Sequence, residues 1–142
     1  MASPASHGSC LCGNVSFTAA SEPLAVLMCY CIHCSKGAGG PGQVIAKMAH
    51  GDVNVVSGHD FITRCELQDT SSGEMKEKFF CSGCGCTLWT VPAGVKGKFV
   101  MVRGALLSIW TNLKPSTEIF VKYRPTWVGA IEGASQWQEA RH

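Results

Sequence analysis

Residues 29–34 read CYCIHC, so three cysteines and a histidine fall close together in a chain that contains nine cysteines. Such a stretch can belong to a disulfide framework, to a closed structural metal site, or to a metal site that keeps one position open for chemistry. Nine cysteines cannot all pair within one chain, and a reducing compartment disfavours disulfides. Metal binding is therefore the leading interpretation of this stretch.

The charge and the apolar runs of the chain limit its possible surroundings. The first residues, MASPASHGSC, lack the basic start and apolar core of a signal peptide, and no apolar run approaches the roughly 18 residues of a membrane span. The formal net charge is only +2, and the lysines and arginines are scattered. We therefore predict a cytoplasmic protein without a nucleic-acid or membrane partner.

Short segments rich in Val, Phe, Ile and Trp alternate with glycines and prolines along the 142 residues. Runs of this kind, bounded by turn residues, are typical of strands. The predicted strands lie in NVSFTA, GQVIA, DVNVVSG, EKFFC, KFVMVRG and EIFVKYR. The only predicted helix is one short turn within residues 108–113. The sequence thus predicts a single, mainly β domain.

Three segments are predicted along the chain: an N-terminal extension over residues 1–7, a zinc domain over residues 8–128 and a loosely held tail over residues 129–142. The glycine-rich run GAGGPG, directly after the cysteine stretch, is either a tight turn or a loop that faces a ligand. The tryptophans are expected in the core or in a cavity wall. They are Trp89, Trp110, Trp127 and Trp137.

The cysteines fall into three groups and one isolated residue. A tetrahedral zinc site with Zn–S bonds of ~2.3 Å places its sulfurs ~3.8 Å apart, and both C-x-C and C-x2-C spacings can reach that distance. Several combinations supply four ligands, and one of them leaves CYCIHC as a set of three. Spacing alone does not select among them. The groups are Cys10 with Cys12, Cys29 with Cys31 and Cys34, and Cys81 with Cys84 and Cys86, while Cys65 stands alone.

An ordered series of motifs resembles the glutathione-dependent formaldehyde-activating family, whose domain centromere protein V shares. The series is GSCLCGNVSF, CYCIHC with the glycine-rich run, FCSGCG, GAL and IFVKYRPTW. The resemblance covers residues 8–127, and the ordered cysteine motifs are far more specific than any one pair. It implies a zinc-stapled β-tent of small antiparallel sheets.

The resemblance also implies the ligand sets of two zinc ions. The structural set is Cys10, Cys12, Cys81 and Cys84, and the catalytic set is Cys29, Cys31 and Cys34. Four protein ligands mark a closed zinc site, whereas three leave a position for substrate. The sequence is therefore similar to that of a lyase that forms or cleaves a carbon–sulfur bond in a glutathione adduct. The alternatives are a non-catalytic binding module and a zinc or redox sensor.

Three positions depart from the family pattern beside these motifs. Tyr30 stands where His is common, Cys86 where Ser is common, and Leu107 where an Asp commonly follows Gly-x-Leu. Cys86 is predicted to pack as a small apolar residue, although it can also close the catalytic set as a fourth ligand or act as a reactive thiol. Cys65 is predicted to be a packing residue and His33 to face solvent.

A thiol substrate such as glutathione is expected to reach the open zinc position as a thiolate and to meet an aldehyde there. Three thiolates make zinc a weak Lewis acid, so delivery of the thiol is favoured over polarisation of the carbonyl. Glutathione carries two carboxylates, which require cations. The candidate cations are Lys36, Lys47, Arg64 and Arg103.

Overall fold

The computed structural model describes residues 3–70 and 72–141. The ends of the predicted segments 1–7 and 129–142 therefore lie partly outside the described residues. Within them the strands are β1 (Ser6–Ser9), β2 (Ser16–Ala19), β3 (Ala25–Cys29), β4 (Gln43–Ala49), β5 (Val53–Ser57), β6 (Ile62–Leu67), β7 (Lys76–Cys81), β8 (Thr87–Pro92), β9 (Phe99–Arg103), β10 (Thr117–Ile119) and β11 (Ser135–Gln136).

Helical structure is short. The α-helix in the described part of the chain is α1 (Ile32–Ala38), which begins inside CYCIHC and was not predicted. One of the short 3-10 helices, Trp110–Asn112, confirms the helical turn expected within residues 108–113. The other 3-10 helices are His50–Asp52, His59–Phe61, Ala93–Val95, Gly104–Leu106 and Val121–Tyr123. None of the helices among residues 3–70 and 72–141 has the length and apolar character needed to cross a bilayer.

Two sheets make the protein mainly β, as the sequence predicted. The smaller sheet has the order β1-β2-β5, and the larger has the order β11-β10-β3-β4-β9-β8-β7-β6. All pairings in the smaller sheet are antiparallel, but β10 pairs in parallel with both β3 and β11. The larger sheet is therefore mixed rather than antiparallel throughout, because the chain crosses over between β9 and β10.

The main core lies between the two sheets. Phe17 of the smaller sheet meets Trp89 of the larger one edge-on, with ring centroids 5.5 Å apart. In β9, Val100 and Val102 face this core, while the alternate residues Met101 and Arg103 lie on the opposite face of the sheet. That opposite face carries α1 and the cysteines of CYCIHC, so the sheet separates the core from the candidate site.

The tail packs against the sheet rather than being loosely held, which corrects the sequence prediction. Its strand β11 pairs with β10, and the backbone amide of Phe120 donates to the carbonyl of Glu139 at 3.1 Å. The tryptophan prediction is correct for Trp89, but Trp127 is 77% exposed. Trp127 precedes the tail strand on the surface, where neither sheet covers it.

Candidate metal centres and the adjoining cavity

The first cysteine group is a four-cysteine cluster. It consists of Cys10, Cys12, Cys81 and Cys84, whose sulfurs all lie within 4.8 Å of one another. The turn after β1 supplies the first two and the end of β7 supplies the third, so the cluster joins the two sheets. The Sγ atom of Cys12 lies 3.6 Å from that of Cys10 and 3.7 Å from that of Cys81. These distances fit a tetrahedral zinc site, whose sulfurs lie ~3.8 Å apart.

Backbone amides donate to the sulfurs of this cluster. The amide of Val15 lies 3.3 Å from the Sγ atom of Cys10. Amides of Cys12 and Cys86 donate to the sulfur of Cys84 and lower the pKa of its thiol to about 6. The turn that brings these amides inward requires Gly85, whose φ of 76° lies in the left-handed region. The local backbone therefore favours thiolates, the form that binds a metal.

The second group is a three-cysteine cluster of Cys29, Cys31 and Cys34, with all sulfurs within 4.8 Å. Cys29 ends β3, Cys31 is the N-cap of α1, and Cys34 lies in the first turn of that helix. The Sγ atom of Cys31 accepts from the amide of Cys34 at 3.4 Å. The glycine-rich run ends the helix, because Gly39 adopts the left-handed conformation of a C-cap, with φ of 72°. The run therefore forms the turn that ends α1, and four of its residues also line a second cavity.

The three thiols share hydrogen bonds unequally. Cys29 and Cys34 donate to the sulfur of Cys31 and hold the pKa of the Cys31 thiol well below its usual range. The same contacts, together with burial, raise the pKa of Cys29 far above its usual range. These hydrogen bonds thus favour the thiolate form of Cys31 over that of Cys29. Both clusters can hold a metal ion, and their all-sulfur donor sets suit zinc.

A cavity of about 600 Å³ adjoins the three-cysteine cluster, and all three cysteines line it. Its walls come from the open face of the larger sheet, from the segment before β7 and from the tail. The remaining lining residues are Leu27, Ile32, His33, Ile45, Asp69, Thr70, Ser72, Glu74, Met75, Lys76, Thr90, Pro92, Met101, Ile119, Phe120, Lys122, Tyr123, Glu139 and Ala140. The cysteines of the four-cysteine cluster are absent from this lining, so of the two clusters only the three-cysteine cluster faces this cavity.

None of the four predicted cations lines the cavity. Arg103 is buried and lines a separate cavity. Lys36, Lys47 and Arg64 are also absent from the lining, and Arg64 is instead paired with Glu77 and Glu66. Lys47 lies over the ring of Phe99 at 4.1 Å. These side chains project from the surface or from the far end of β4, so spacing along the sequence gave no guide to their convergence.

Two lysines that were not singled out, Lys76 and Lys122, line the cavity. Lys122 forms an ion pair with Glu139 at 2.7 Å. The sequence held a signal for Lys76. Alternate residues of KEKFFC share a face of the sheet, so Lys76 lies on the same face as a second lysine, Lys78. Lys122 had no such signal, since Phe120 with its φ of 56° turns the chain into a 3-10 helix there.

Tyr30 lies beside the site but belongs to a buried network. Its hydroxyl donates to Glu118 at 2.8 Å, and the Glu118 side chain is 0% exposed. Burial alone raises the pKa of Glu118, but hydrogen bonds from Gln136, Ile131 and Tyr30 and the charge of Arg124 hold it below its usual range. Tyr30, which stands where the family pattern commonly has His, thus helps to anchor the tail.

Cys86 is separate from the three-cysteine cluster. Its half-buried side chain packs against the main core, and burial raises the pKa of its thiol. It is not within the sulfur group of either cluster. Cys65 lies on β6, also outside both groups, and Leu107 is buried in the main core. His33 is half-buried and lines the cavity rather than lying wholly in solvent.

Residues 5–123 match the sequence pattern of the family described as "Glutathione-dependent formaldehyde-activating enzyme". The chain belongs to this family. A family relative from Halomonas elongata bears the name "Putative glutathione-dependent formaldehyde-activating enzyme" and is 42% identical over 87 residues. The match covers 58% of this chain and 54% of the relative, so the chain spans about half the length of that protein.

The fold also resembles a crystal structure of a Rhodobacter sphaeroides protein. The TM-score is 0.57, the identity is 20%, and the match covers 92% of this chain and 98% of that one. This likeness concerns the fold alone. The recognition of the family from its ordered cysteine motifs is confirmed.

Proposed function

We propose that the protein is a zinc-dependent enzyme that forms or cleaves a carbon–sulfur bond between a thiol, of which glutathione is the leading example, and an aldehyde. The observation that carries this proposal is the contrast between the clusters. The three-cysteine cluster supplies three ligands and opens into a cavity of about 600 Å³, whereas the four-cysteine cluster supplies a complete tetrahedral set. A catalytic and a structural zinc differ in this way.

The proposed cofactors are two zinc ions, one in each cluster. In the three-cysteine cluster, bound zinc supplies a binding position for a substrate sulfur and favours its thiolate form. Cys29, Cys31 and Cys34 are the proposed catalytic ligands. The proposed location is cytoplasmic, because a reducing compartment keeps cysteines available as metal ligands.

The cavity matches an elongated thiol with anionic groups. Leu27, Ile45 and Met101 give it an apolar wall near the cysteines, while Lys76 and Lys122 lie on its lining. Either lysine can pair with a carboxylate of a glutathione-like substrate. Lys122 is already paired with Glu139. The carboxylate of Glu139 therefore also lies at the cavity, where it can pair with an ammonium group of the substrate. Charges of both signs suit a peptide-like thiol better than a simple alkyl thiol.

The chemical step is the addition of the thiol to the carbonyl group, in which one proton is released and one is taken up. The thiol loses its proton, its sulfur bonds to the carbonyl carbon, and the oxygen keeps the former π electrons and takes up a proton. The reverse sequence cleaves the adduct. His33 lines the cavity and can accept and return this proton.

Formation of the hemithioacetal from glutathione and formaldehyde tests this proposal. The zinc-loaded protein should raise the rate above the fast uncatalysed reaction, and Cys31→Ser should abolish the increase. Cys65→Ser is the matched control, because Cys65 lies outside both clusters and should leave the rate unchanged. A rate equal to that of the metal-free protein, with this and other aldehydes, would favour a non-catalytic binding module.

A further inference from the structure

Arg103 is a buried cation without an acidic partner. It ends β9 on the face opposite the main core and is 8% exposed. Its Nη1 atom donates to the hydroxyl of Thr90 at 3.4 Å and to the carbonyl of Met101 at 3.2 Å, both neutral acceptors. Its Nε atom has no hydrogen-bond partner, and no carboxylate in the described residues forms an ion pair with it.

Burying an arginine whose hydrogen-bond partners are all neutral is costly unless a negative charge lies nearby. A buried charge without compensation loses much of its favourable solvation, and two long hydrogen bonds to neutral groups recover little of it. A source of negative charge close to the guanidinium of Arg103 would offset this cost.

The three-cysteine cluster is that source. Thr90 and Met101, which accept the hydrogen bonds of Arg103, line the same cavity as the three cysteines. In the β4–β9 register Arg103 lies opposite Ile45, and Ile45 packs in one cluster with Cys29 and Cys34. Burial lowers the pKa of Arg103, and the charges of the three cysteines oppose this effect.

The charge of a metal-loaded cluster is complementary to that of Arg103. Three thiolates around a divalent ion leave one net negative charge, and a substrate thiolate leaves two. Lys76, another cation whose charge acts on this cluster, is half-buried and better screened by solvent. Arg103 is thus placed to stabilise the loaded cluster, and more strongly once a thiolate substrate has bound.

We propose that Arg103 is a positioning residue whose buried positive charge balances the three-cysteine cluster and sets its affinity for metal and for a thiolate substrate. This rests on the proposed function only in treating the cluster as a zinc centre. The residue touches neither the reacting atoms nor the metal, and it acts through the cysteines.

Competition with a chromophoric chelator measures the affinity of each zinc in Arg103→Met, Arg103→Lys and wild-type protein. Arg103→Met should weaken zinc at the three-cysteine cluster roughly 10- to 100-fold, the range typical of outer-shell partners. The four-cysteine cluster should keep its affinity. Arg103→Lys keeps the positive charge, so its zinc affinity should be close to that of the wild type. If Arg103 served only in packing, Arg103→Met would preserve the zinc affinity at least as well as Arg103→Lys. Lys36→Met, on the exposed side of α1, is the control and should change neither affinity.

The outcomes separate the two proposals. If the wild-type protein binds zinc at the four-cysteine cluster only, the proposed zinc enzyme and this inference both fail. If it binds two and Arg103→Met leaves both affinities unchanged, only the role of Arg103 is overturned. If Arg103→Met does not fold, Arg103→Gln is compared with Arg103→Lys, and equal affinities in that pair would also overturn it.

Discussion

Replacing Glu118 by Gln should destabilise the protein by removing one buried charge from the network that anchors the tail. Glu118 accepts hydrogen bonds from Tyr30 at 2.8 Å, from the amide of Ile131 at 2.9 Å and from Gln136, and Arg124 lies 3.5 Å from it. The substitution keeps the shape of the side chain. It removes the charge and turns one accepting oxygen into a donor.

The magnitude follows from these contacts. A hydrogen bond to a charged group contributes roughly 1 kcal/mol more than one between neutral groups, so three such bonds give a loss of about 3 kcal/mol. For a chain of this size, that loss lowers the melting temperature by about 10 °C. Glu22→Gln, at an exposed position, is the control and should change the melting temperature little.

The loss should also depend on pH with a defined sign. The pKa of Glu118 is lowered in the folded protein, so its contribution is fully present above the unfolded-state value of 4.5. That contribution disappears as the pH falls through the lower folded-state pKa. The difference between wild type and Glu118→Gln, measured by thermal and urea unfolding, should therefore be largest near neutrality and shrink in acid. A difference below about 1 kcal/mol, or one that does not change with pH, would refute this account of the network.

Two further predictions concern the remaining cysteines. Cys81→Ser should leave the protein unfolded by circular dichroism at 25 °C, because binding energy at a structural zinc is folding energy; a variant with an unchanged melting temperature would show that the four-cysteine cluster does not join the sheets. Cys86→Ser should retain two zinc equivalents by metal analysis and lose only about 1 kcal/mol of stability, the cost of a partly buried hydroxyl. Release of one zinc by that change alone would make Cys86 a ligand.

Much of the fold could be predicted because strand patterns and metal ligands are local signals. The alternation in KFVMVRG marked β9 correctly, since its valines face one side and its polar end the other. The strand β3, AVLMC, was missed because all of its residues are apolar and none is exposed, so it shows no alternation of apolar and polar positions. The helix α1 was missed because two glycines and three polar residues in HCSKGAG conceal a helix that its cysteine N-cap starts.

The candidate site was less predictable because its walls come from distant segments. The cysteines were grouped by spacing and family resemblance, and the structure brings both predicted groups together. Glu139 and Lys122 reach the cavity only because β11 and the tail pack beside β10. The sequence indicated Arg103 as a cation for the substrate but could not place it. A shift of one residue in strand register decides whether its side chain faces the core or the cysteines. Tertiary register of this kind has no local signature.

The absorption spectrum of the cobalt-substituted protein on addition of glutathione tests the central claim most directly. If the three-cysteine cluster accepts a thiol, replacing a water by sulfur should add a thiolate-to-cobalt charge-transfer band, and Cys31→Ser should abolish that band while the fold and the metal of the four-cysteine cluster remain. A spectrum that stays unchanged with glutathione and with a panel of other thiols would contradict the claim that this cluster is an open, thiol-binding metal centre.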